Sequence, residues 1–143
     1  MADSRKPLPQ ATPETAEFWA GLQRNELRIQ RCNEAPCAGK AYFPPRPFCP
    51  GCGSRNVSWF TASGRARLHT YVINHRPAPG FEAETPYAIA VVELDEGPRM
   101  MTNLTGVEQT PEALRIDMPL VLAPERVTDE VTLPKFRPSG GAA

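Results

Sequence analysis

The sequence lacks the segments that direct a protein into or across a membrane. None of its apolar runs approaches the length of a membrane span, and the opening residues, MADSRKPLPQ, contain no apolar stretch behind their basic residues. We therefore expect a cytoplasmic protein with no membrane partner, in which cysteine thiols stay reduced. The formal net charge is zero, which argues against a protein that binds nucleic acid through charge alone.

The residues that most often carry catalysis are also scarce. There are two histidines, His69 and His75, no serine lies in a Gly-x-Ser-x-Gly motif, and no glycine-rich phosphate loop is present. The chain has four cysteines, and all of them belong to one cluster with the spacing of a metal site. We therefore expect no catalytic residue in this chain, which is predicted not to be an enzyme on its own.

The cysteine cluster is the most informative feature that the sequence does contain. Cys32 and Cys37 form one pair with four residues between them, and Cys49 and Cys52 form a second pair with two residues between them. This spacing is typical of a zinc ribbon, in which two turns each supply two thiolates to one ion. Four thiolates complete the zinc tetrahedron, so we expect one structural zinc without a catalytic role. Two disulfides are the alternative, and reduced thiols argue against them.

The remaining pattern predicts a mainly β fold behind one short helix. Thr12-Pro13-Glu14 is typical of a helix start, and the helix is predicted to continue to about Gln23. Seventeen prolines favour short strands and turns elsewhere in the chain. The predicted organisation has four parts, which are a tail with the helix at 1–24, the zinc ribbon at 25–62, an OB-fold barrel at 63–138 and a disordered tail at 139–143.

The barrel is predicted from five short strands with a helix between the third and the fourth, which is the order of an OB fold. The predicted strands are 65–74, 87–94, 99–104, 119–123 and 131–133, and the short helix starts at Thr110. In the first strand, alternation predicts that Leu68, Thr70 and Val72 share one side of the sheet.

Charge is unevenly distributed along the chain. Residues 24–76 contain nine basic and two acidic residues, whereas residues 82–130 contain three basic and eleven acidic residues. The basic part could face the phosphates of a ligand, or it could partly offset the negative charge of a four-thiolate zinc site. Both interpretations stay open.

Several sequence motifs occur in a characteristic order, namely FW at 18–19, FPPR at 43–46, CPGCG at 49–53, PYAIAVVELDEG at 86–97 and LPKFRP at 133–138. Together they resemble the family of acyl-CoA-associated OB-fold proteins with an N-terminal rubredoxin-like zinc ribbon. The resemblance covers residues 14–138. It implies that the four cysteines bind one zinc, although most members have two residues, not four, between the first pair.

The resemblance also implies a role as a small accessory subunit. Members are usually partners of thiolase-like enzymes, including thiolases, aldolases and acyltransferases, and the large subunit carries the catalytic groups. The implied assembly is a hetero-tetramer with acyl-CoA at the shared interface. The small chain would dock beside the active site and shape the CoA or acyl channel.

This role suggests two further sets of contact residues. Arginine can hold a phosphate through two hydrogen bonds, so the basic segment supplies the candidate CoA ligands. These are Arg46, Arg65, Arg67 and Arg76. Large apolar side chains on a lone helix need burial, which suggests a partner interface. The candidates for that interface are Phe18, Trp19, Leu22, Phe43 and Pro45.

Two other functions remain open. A zinc ribbon joined to an OB fold can bind single-stranded nucleic acid through stacking aromatics and a basic groove, although the acidic character after residue 82 argues against this. The chain could also bind acyl-CoA by itself, without a partner.

Overall fold

The computed structural model describes residues 6–139, and within them the chain forms one α-helix and ten short β-strands. The helix is α1 (Ala16–Gln23). The strands are β1 (Arg28–Cys32), β2 (Ala41–Tyr42), β3 (Val57–Thr61), β4 (Arg65–Asn74), β5 (Tyr87–Leu94), β6 (Arg99–Thr102), β7 (Pro119–Leu122), β8 (Glu125–Arg126), β9 (Thr132–Leu133) and β10 (Phe136–Pro138). This confirms the predicted mainly β fold. Of the predicted tail segments at 1–24 and 139–143, residues 1–5 and 140–143 lie outside the described residues.

The ribbon is a three-stranded antiparallel sheet in the order β2-β1-β3. Its central strand places Gln30 opposite Tyr42 of β2 and Trp59 of β3. The buried Gln30 side chain accepts a hydrogen bond from the N–H of Arg46 at 2.8 Å. The loop after β2, which carries the second cysteine pair, therefore starts from a fixed position on the sheet.

The barrel is a five-stranded sheet in the order β10-β7-β4-β5-β6. A parallel bridge between Leu104, just after β6, and Phe136 of β10 joins the two outer strands. Its hydrogen bonds run from the N–H of Phe136 to the carbonyl of Asn103 at 3.2 Å and from the N–H of Thr105 to the carbonyl of Phe136 at 2.8 Å. Closure removes the sheet edges that would otherwise be exposed.

Two predicted barrel elements are wrong. Residues 131–133 do not form the last barrel strand, because Thr132–Leu133 pairs with Glu125–Arg126 in a separate hairpin and β10 takes the closing position. The segment after Thr110 forms a single turn instead of a helix. The N–H of Asp117 donates to the carbonyl of Leu68 at 2.8 Å, so the chain is bound back to β4 before a second turn can form.

The first barrel strand contains a bulge at His69. Leu68 lies opposite Val92 of β5, and Thr70 lies opposite the adjacent Val91, so His69 has no opposite residue on that strand. A bulge inserts one residue into one strand of a pair and changes which side the following side chains face.

This bulge makes the predicted alternation wrong beyond its position. Leu68 is fully buried, but Thr70 is exposed and Val72 is 62% exposed, so the three residues do not share one side. Tyr71 and Ile73 take the inner positions instead, opposite buried alanines of β5. The inner row therefore continues in a shifted register.

Helix α1 starts three residues later than predicted. Residues 12–15 form a turn in which the N–H of Thr15 donates to the carbonyl of Thr12 at 3.0 Å and the N–H of Thr12 donates to Oγ1 of Thr15 at 2.9 Å. The threonine pair is thus used within its own turn, and the first helical residue is Ala16. The predicted end at Gln23 is correct.

The helix packs into the core of its own chain. Phe18 and Leu22 are 3% and 0% exposed and belong to one hydrophobic cluster with barrel residues that include Leu120 and Phe136. The expectation that Phe18 and Leu22 lie at an exposed partner surface is therefore wrong, because helix, ribbon and barrel share a core that covers them. Trp19 is half-buried against the same cluster.

We predict that Leu22→Ala lowers the free energy of unfolding of the zinc-loaded chain by about 2–5 kcal/mol, because it leaves a cavity in the shared core. Ile116→Ala is the matched control, since Ile116 is 56% exposed and should change stability by less than about 0.5 kcal/mol. Urea denaturation measures both. Equal stability of the two variants would contradict the burial of the helix.

Candidate functional site

The four cysteines come together at one end of the ribbon sheet. Cys32 is the last residue of β1, Cys37 ends a 3₁₀ turn, and Cys49 and Cys52 lie in the loop between β2 and β3. All four Sγ atoms lie within 4.8 Å of one another. The Sγ–Sγ distances of 3.7 Å for Cys32–Cys52 and 3.8 Å for Cys37–Cys49 are too long for disulfide bonds, which are about 2.05 Å. They match a tetrahedron with Zn–S bonds of about 2.3 Å, whose edges are about 3.8 Å long.

Backbone N–H groups point at the sulfur atoms. The N–H of Glu34 donates to Sγ of Cys32 at 3.4 Å, and the N–H of Gly51 donates to Sγ of Cys49 at 3.2 Å. Donors from the backbone of Cys52 and Gly51 lower the pKa of the Cys49 thiol to about 7. These donors stabilise a thiolate, which is the form that binds metal.

The thiols of Cys32 and Cys37 resist ionisation as long as no cation is present, because the pKa of each is raised. Hydrogen bonds with the other three thiols raise the pKa of Cys37 to about 12. The contribution of Cys32 is the largest, followed by those of Cys52 and Cys49. Four sulfur atoms this close cannot all be negative near neutral pH unless a cation offsets their charge. The donor set, its distances and its electrostatics therefore fit one divalent zinc.

The long first knuckle is accommodated without opening the site. Residues Ala35–Cys37 form a 3₁₀ turn, and Ala38 and Gly39 follow with positive φ angles of 49° and 77°. Oγ of Ser54 donates to Oε1 of Glu34 at 2.7 Å and so links the two knuckles. The two extra residues enlarge the turn, and both cysteines still reach the cluster.

The candidate CoA ligands do not form one free basic patch. Arg65 pairs with Asp95 at 3.2 Å and Arg67 pairs with Glu93 at 2.8 Å, because β4 and β5 lie side by side. The basic and acidic parts of the sequence are thus interleaved in this sheet and do not form separate surfaces. The guanidinium groups of Arg65 and Arg67 already have carboxylate partners.

The two other candidate arginines lie in different surroundings. Arg46 is half-buried, and its carbonyl accepts a hydrogen bond from the hydroxyl of Tyr42 at 3.0 Å. Arg76 is exposed in the loop after β4, where its N–H donates to Oδ1 of Asn74 at 3.1 Å. Arg46 therefore has the more tightly held backbone, and the CoA-binding role of either residue stays a prediction.

The predicted interface residues of the ribbon lie beside the helix. The ring centroids of Phe18 and Phe43 are 5.4 Å apart, and those of Phe18 and Trp19 are 5.0 Å apart. Phe43, Pro45 and Trp19 are each half-buried. The rings of Phe43 and Trp19 pack beside the buried Phe18 ring. A partner contact through the exposed parts of Phe43, Pro45 and Trp19 stays a prediction.

A cavity of about 530 Å³ lies between the segment at residues 6–8, the loop after β6 and the β8–β9 hairpin. Its walls are largely apolar and include Leu104, Val107 and Leu133, and Phe81 and Tyr87 stack in it with ring centroids 5.5 Å apart. The size and the apolar lining are typical of a small-molecule pocket. Sequence reasoning missed this cavity, because its walls come from segments that are distant in the chain.

Two lysines line this cavity, and each pairs with a glutamate that also lines it. Nζ of Lys135 pairs with Glu125 at 3.0 Å, and the Lys135 side chain is 12% exposed. Lys6 pairs with Glu84, and its ammonium group lies 4.9 Å from the centre of the Phe81 ring. The only sequence signal for the site was the LPKFRP motif, which contains Lys135 and Leu133.

Both histidines are exposed, and within residues 6–139 neither imidazole makes a hydrogen bond to another side chain. His69 is the bulge residue of β4, and His75 follows that strand. In the described part of the chain, no helix is long and apolar enough to cross a membrane.

Comparisons with known proteins match two family models to successive parts of the chain. A family model described as "ChsH2, rubredoxin-like zinc ribbon domain" matches residues 37–58, and one described as "ChsH2, C-terminal OB-fold domain" matches residues 59–123. Cys32 lies before the first match, and the structure adds it to the metal cluster. The chain therefore carries a zinc-ribbon domain with four cysteines positioned to bind one metal ion.

Among solved structures, one described as "Ltp2-ChsH2(DUF35) aldolase" contains a chain that is similar to this one. It has 37% sequence identity and a TM-score of 0.76, and the match covers 91% of this chain and 98% of that chain. Similarity therefore extends along almost the whole of both chains.

Two curated relatives match this chain over only part of their own length. A "Probable enoyl-CoA hydratase alpha subunit" of Thermomonospora curvata is 38% identical over 94% of this chain and 40% of its own length. A "DUF35 domain-containing scaffold protein" of Pyrococcus furiosus is 40% identical over 64% of this chain and 65% of its own length. The chain thus spans less than two thirds of either relative.

We predict that the purified chain contains about one zinc ion, and that Cys49→Ser lowers both the zinc content and the melting temperature. Zinc binding free energy is folding free energy at such sites, so the loss should be large. Metal analysis and thermal unfolding measure the two effects, and a chelator followed by added zinc should unfold and restore the wild-type ribbon. A metal-free chain with an unchanged melting temperature would contradict a structural zinc.

Proposed function

This chain belongs to the family of zinc-ribbon and OB-fold proteins that includes ChsH2 and the DUF35 proteins, and from that premise we propose that it is a non-catalytic accessory subunit of a thiolase-like acyl-CoA enzyme. The observation that carries the proposal is the similarity over 98% of a chain in an aldolase structure whose description pairs Ltp2 with ChsH2. The thiolase-like nature of the partner is what the sequence resemblance implies. The name "scaffold protein" of the Pyrococcus relative supports a role without chemistry of its own.

The arrangement of reactive groups supports a non-catalytic role. The four thiols form the metal cluster, and four thiolates would leave the metal no open position for a substrate or water. The Thermomonospora relative is named as a hydratase subunit, but this chain corresponds to 40% of its length.

The acyl-CoA channel is the finer part of the proposal. In it, the small chain docks beside the active site of the large subunit, and an acyl group or its pantetheine arm passes along the apolar cavity that contains Leu133. Arg46 is the first candidate for a phosphate of CoA. The assembly would be a hetero-tetramer with acyl-CoA at the shared interface.

The two alternative functions find less support. For nucleic-acid binding, the carboxylate partners of Arg65 and Arg67 reduce the free positive charge on β4, and electrostatic attraction to phosphates needs such charge. For a free-standing acyl-CoA-binding protein, the cavity of about 530 Å³ is a specific observation in favour. The partner experiment below distinguishes this alternative from the accessory subunit.

We predict that the tagged chain, purified from its own host, brings down a thiolase-like large subunit that mass spectrometry identifies. The two should co-elute on size exclusion, with a light-scattering mass that fits two large and two small chains. Nucleic acid in the eluate would favour the nucleic-acid alternative. A stable chain that binds acyl-CoA without any effect on the neighbouring thiolase-like enzyme would contradict the accessory role.

We predict that Leu133→Trp fills part of the cavity and raises the KM of the complex for acyl-CoA by about tenfold, with the largest effect on bulky acyl groups, because a misfit of even one methylene group in an apolar pocket costs about 1–3 kcal/mol. Ile116→Trp is the matched control, since Ile116 is exposed and does not line the cavity. Steady-state kinetics measure KM, and co-elution of both variants shows that the complex persists. An unchanged KM for all acyl groups would contradict the channel.

A further inference from the structure

The outer surface of the barrel carries an ordered set of side chains on β4, β5 and β6. The strand register places the outward residues in three rows across the sheet, namely Arg67, Glu93 and Arg99 in the first, Thr70, Val91 and Met101 in the second, and Val72 and Ile89 in the third. The first row is ionic. The next two rows are apolar apart from one threonine, and we call Val72, Ile89, Val91 and Met101 the outer apolar face.

This face is open to solvent in the described chain. Val72 is 62% exposed and Met101 is 69% exposed, and they are the two most exposed of the four large apolar residues at the surface among residues 6–139. Ile89 and Val91 lie between them and are half-buried by their neighbours. Because the four side chains are contiguous, they form one patch and are not scattered single residues.

The composition of β5 indicates that this face is covered in the functional protein. An antiparallel strand with one face in water normally alternates apolar inward and polar outward residues, whereas a strand buried on both faces is apolar throughout. In β5, the inward positions are the buried Ala88, Ala90, Val92 and Leu94. Of its outward positions, Ile89 and Val91 are apolar as well, whereas Glu93 belongs to the ionic row, so the middle of the strand has the pattern of a strand with two covered faces.

The charges beside the face argue for a partner of different sequence over a second copy of this chain. Glu93 accepts ion pairs from both Arg67 at 2.8 Å and Arg99 at 3.2 Å. The row thus presents two guanidinium groups for one carboxylate, and both arginine side chains remain more than half exposed, at 56% and 55%. A complementary surface supplies a further carboxylate. The same row on a second copy of this chain has none to offer, because its only carboxylate, Glu93, already pairs with both arginines.

We propose that the outer apolar face is the docking surface for the large thiolase-like subunit, and that the matching surface of that subunit is an apolar patch bordered by a carboxylate. The proposal rests on the accessory-subunit function proposed above. In this proposal the main partner contact is the outer apolar face of the barrel. It is not helix α1, because Phe18 and Leu22 of that helix are buried in the core. Thr70 and the two arginines form the polar rim, which interfaces of this kind require.

The test compares Met101→Glu and Val72→Glu with the matched control Ile116→Glu. All three replace an exposed apolar residue with a carboxylate, so all should fold with nearly unchanged melting temperature. The binding partner is the thiolase-like large subunit identified by co-purification. We expect a rise in Kd of about tenfold or more for the two face variants, and no change for Ile116→Glu, measured by calorimetry.

Hydrogen exchange on the wild-type complex gives an independent measurement. Slower exchange on complex formation at residues 89–91 and 99–102, without slowing in α1, would support the proposal. If wild type and all three variants bind equally, the face is not the interface and the accessory function stands. If wild type does not bind the large subunit at all, both proposals fall.

Sedimentation of the chain alone tests the other occupant of the face. A wild-type dimer that Met101→Glu converts to a monomer would place a second copy on the outer apolar face. That outcome would overturn the proposal.

Discussion

The packing of α1 and β1 against the inside of the barrel is the interaction on which the rest of the structure depends. Leu22, Leu27 and Ile29 are each at most 1% exposed and share one cluster with Leu68 and Phe136 of the barrel. Such burial contributes about 1.5–3 kcal/mol for each large aliphatic side chain. The ribbon and barrel, which the sequence separates into two units, thus form one core.

This shared core connects the metal site to the barrel through a single strand. β1 carries Ile29 into the core, Gln30 to the loop that precedes the second cysteine pair, and Cys32 to the metal cluster. Loss of zinc would therefore release one end of a strand whose other residues hold the helix and the barrel together. The metal acts through this strand on parts of the molecule that it does not touch.

The features that sequence predicted well are those that depend on local residues. The cysteine spacing identified the cluster, and the bounds of β4 and β5 follow from their alternating or apolar runs. The features that it missed depend on tertiary contacts. The burial of Phe18 and Leu22 is decided by the barrel, and the closing position of β10 by a bridge to Leu104, more than thirty residues earlier. The LPKFRP motif was recognised, but its residues gave no sign of the strand and cavity that they form.

The distribution of charged residues along the sequence also differs from their distribution in the folded protein. The basic part of the chain and the acidic part alternate when β4 lies against β5, so that Arg67 and Glu93, separated by 26 positions, become cross-strand neighbours. Pairs of this kind in an antiparallel sheet stabilise modestly, by about 0.2–1 kcal/mol. They also affect recognition, because they reduce the free positive charge that β4 could offer to a phosphate ligand.

The bulge at His69 determines which side chains of β4 face the core and which face outward. Before it, Ala66 and Leu68 face the core, and after it the extra residue moves Thr70 and Val72 to the outside. With regular alternation from Leu68, Thr70 and Val72 would face the core, and the outer apolar face would lose Val72. Bulges occur where a strand must redirect side chains. In this barrel, one inserted residue completes the core with Tyr71 and also builds the apolar surface beside the ionic row, so that folding and partner recognition depend on the same backbone irregularity.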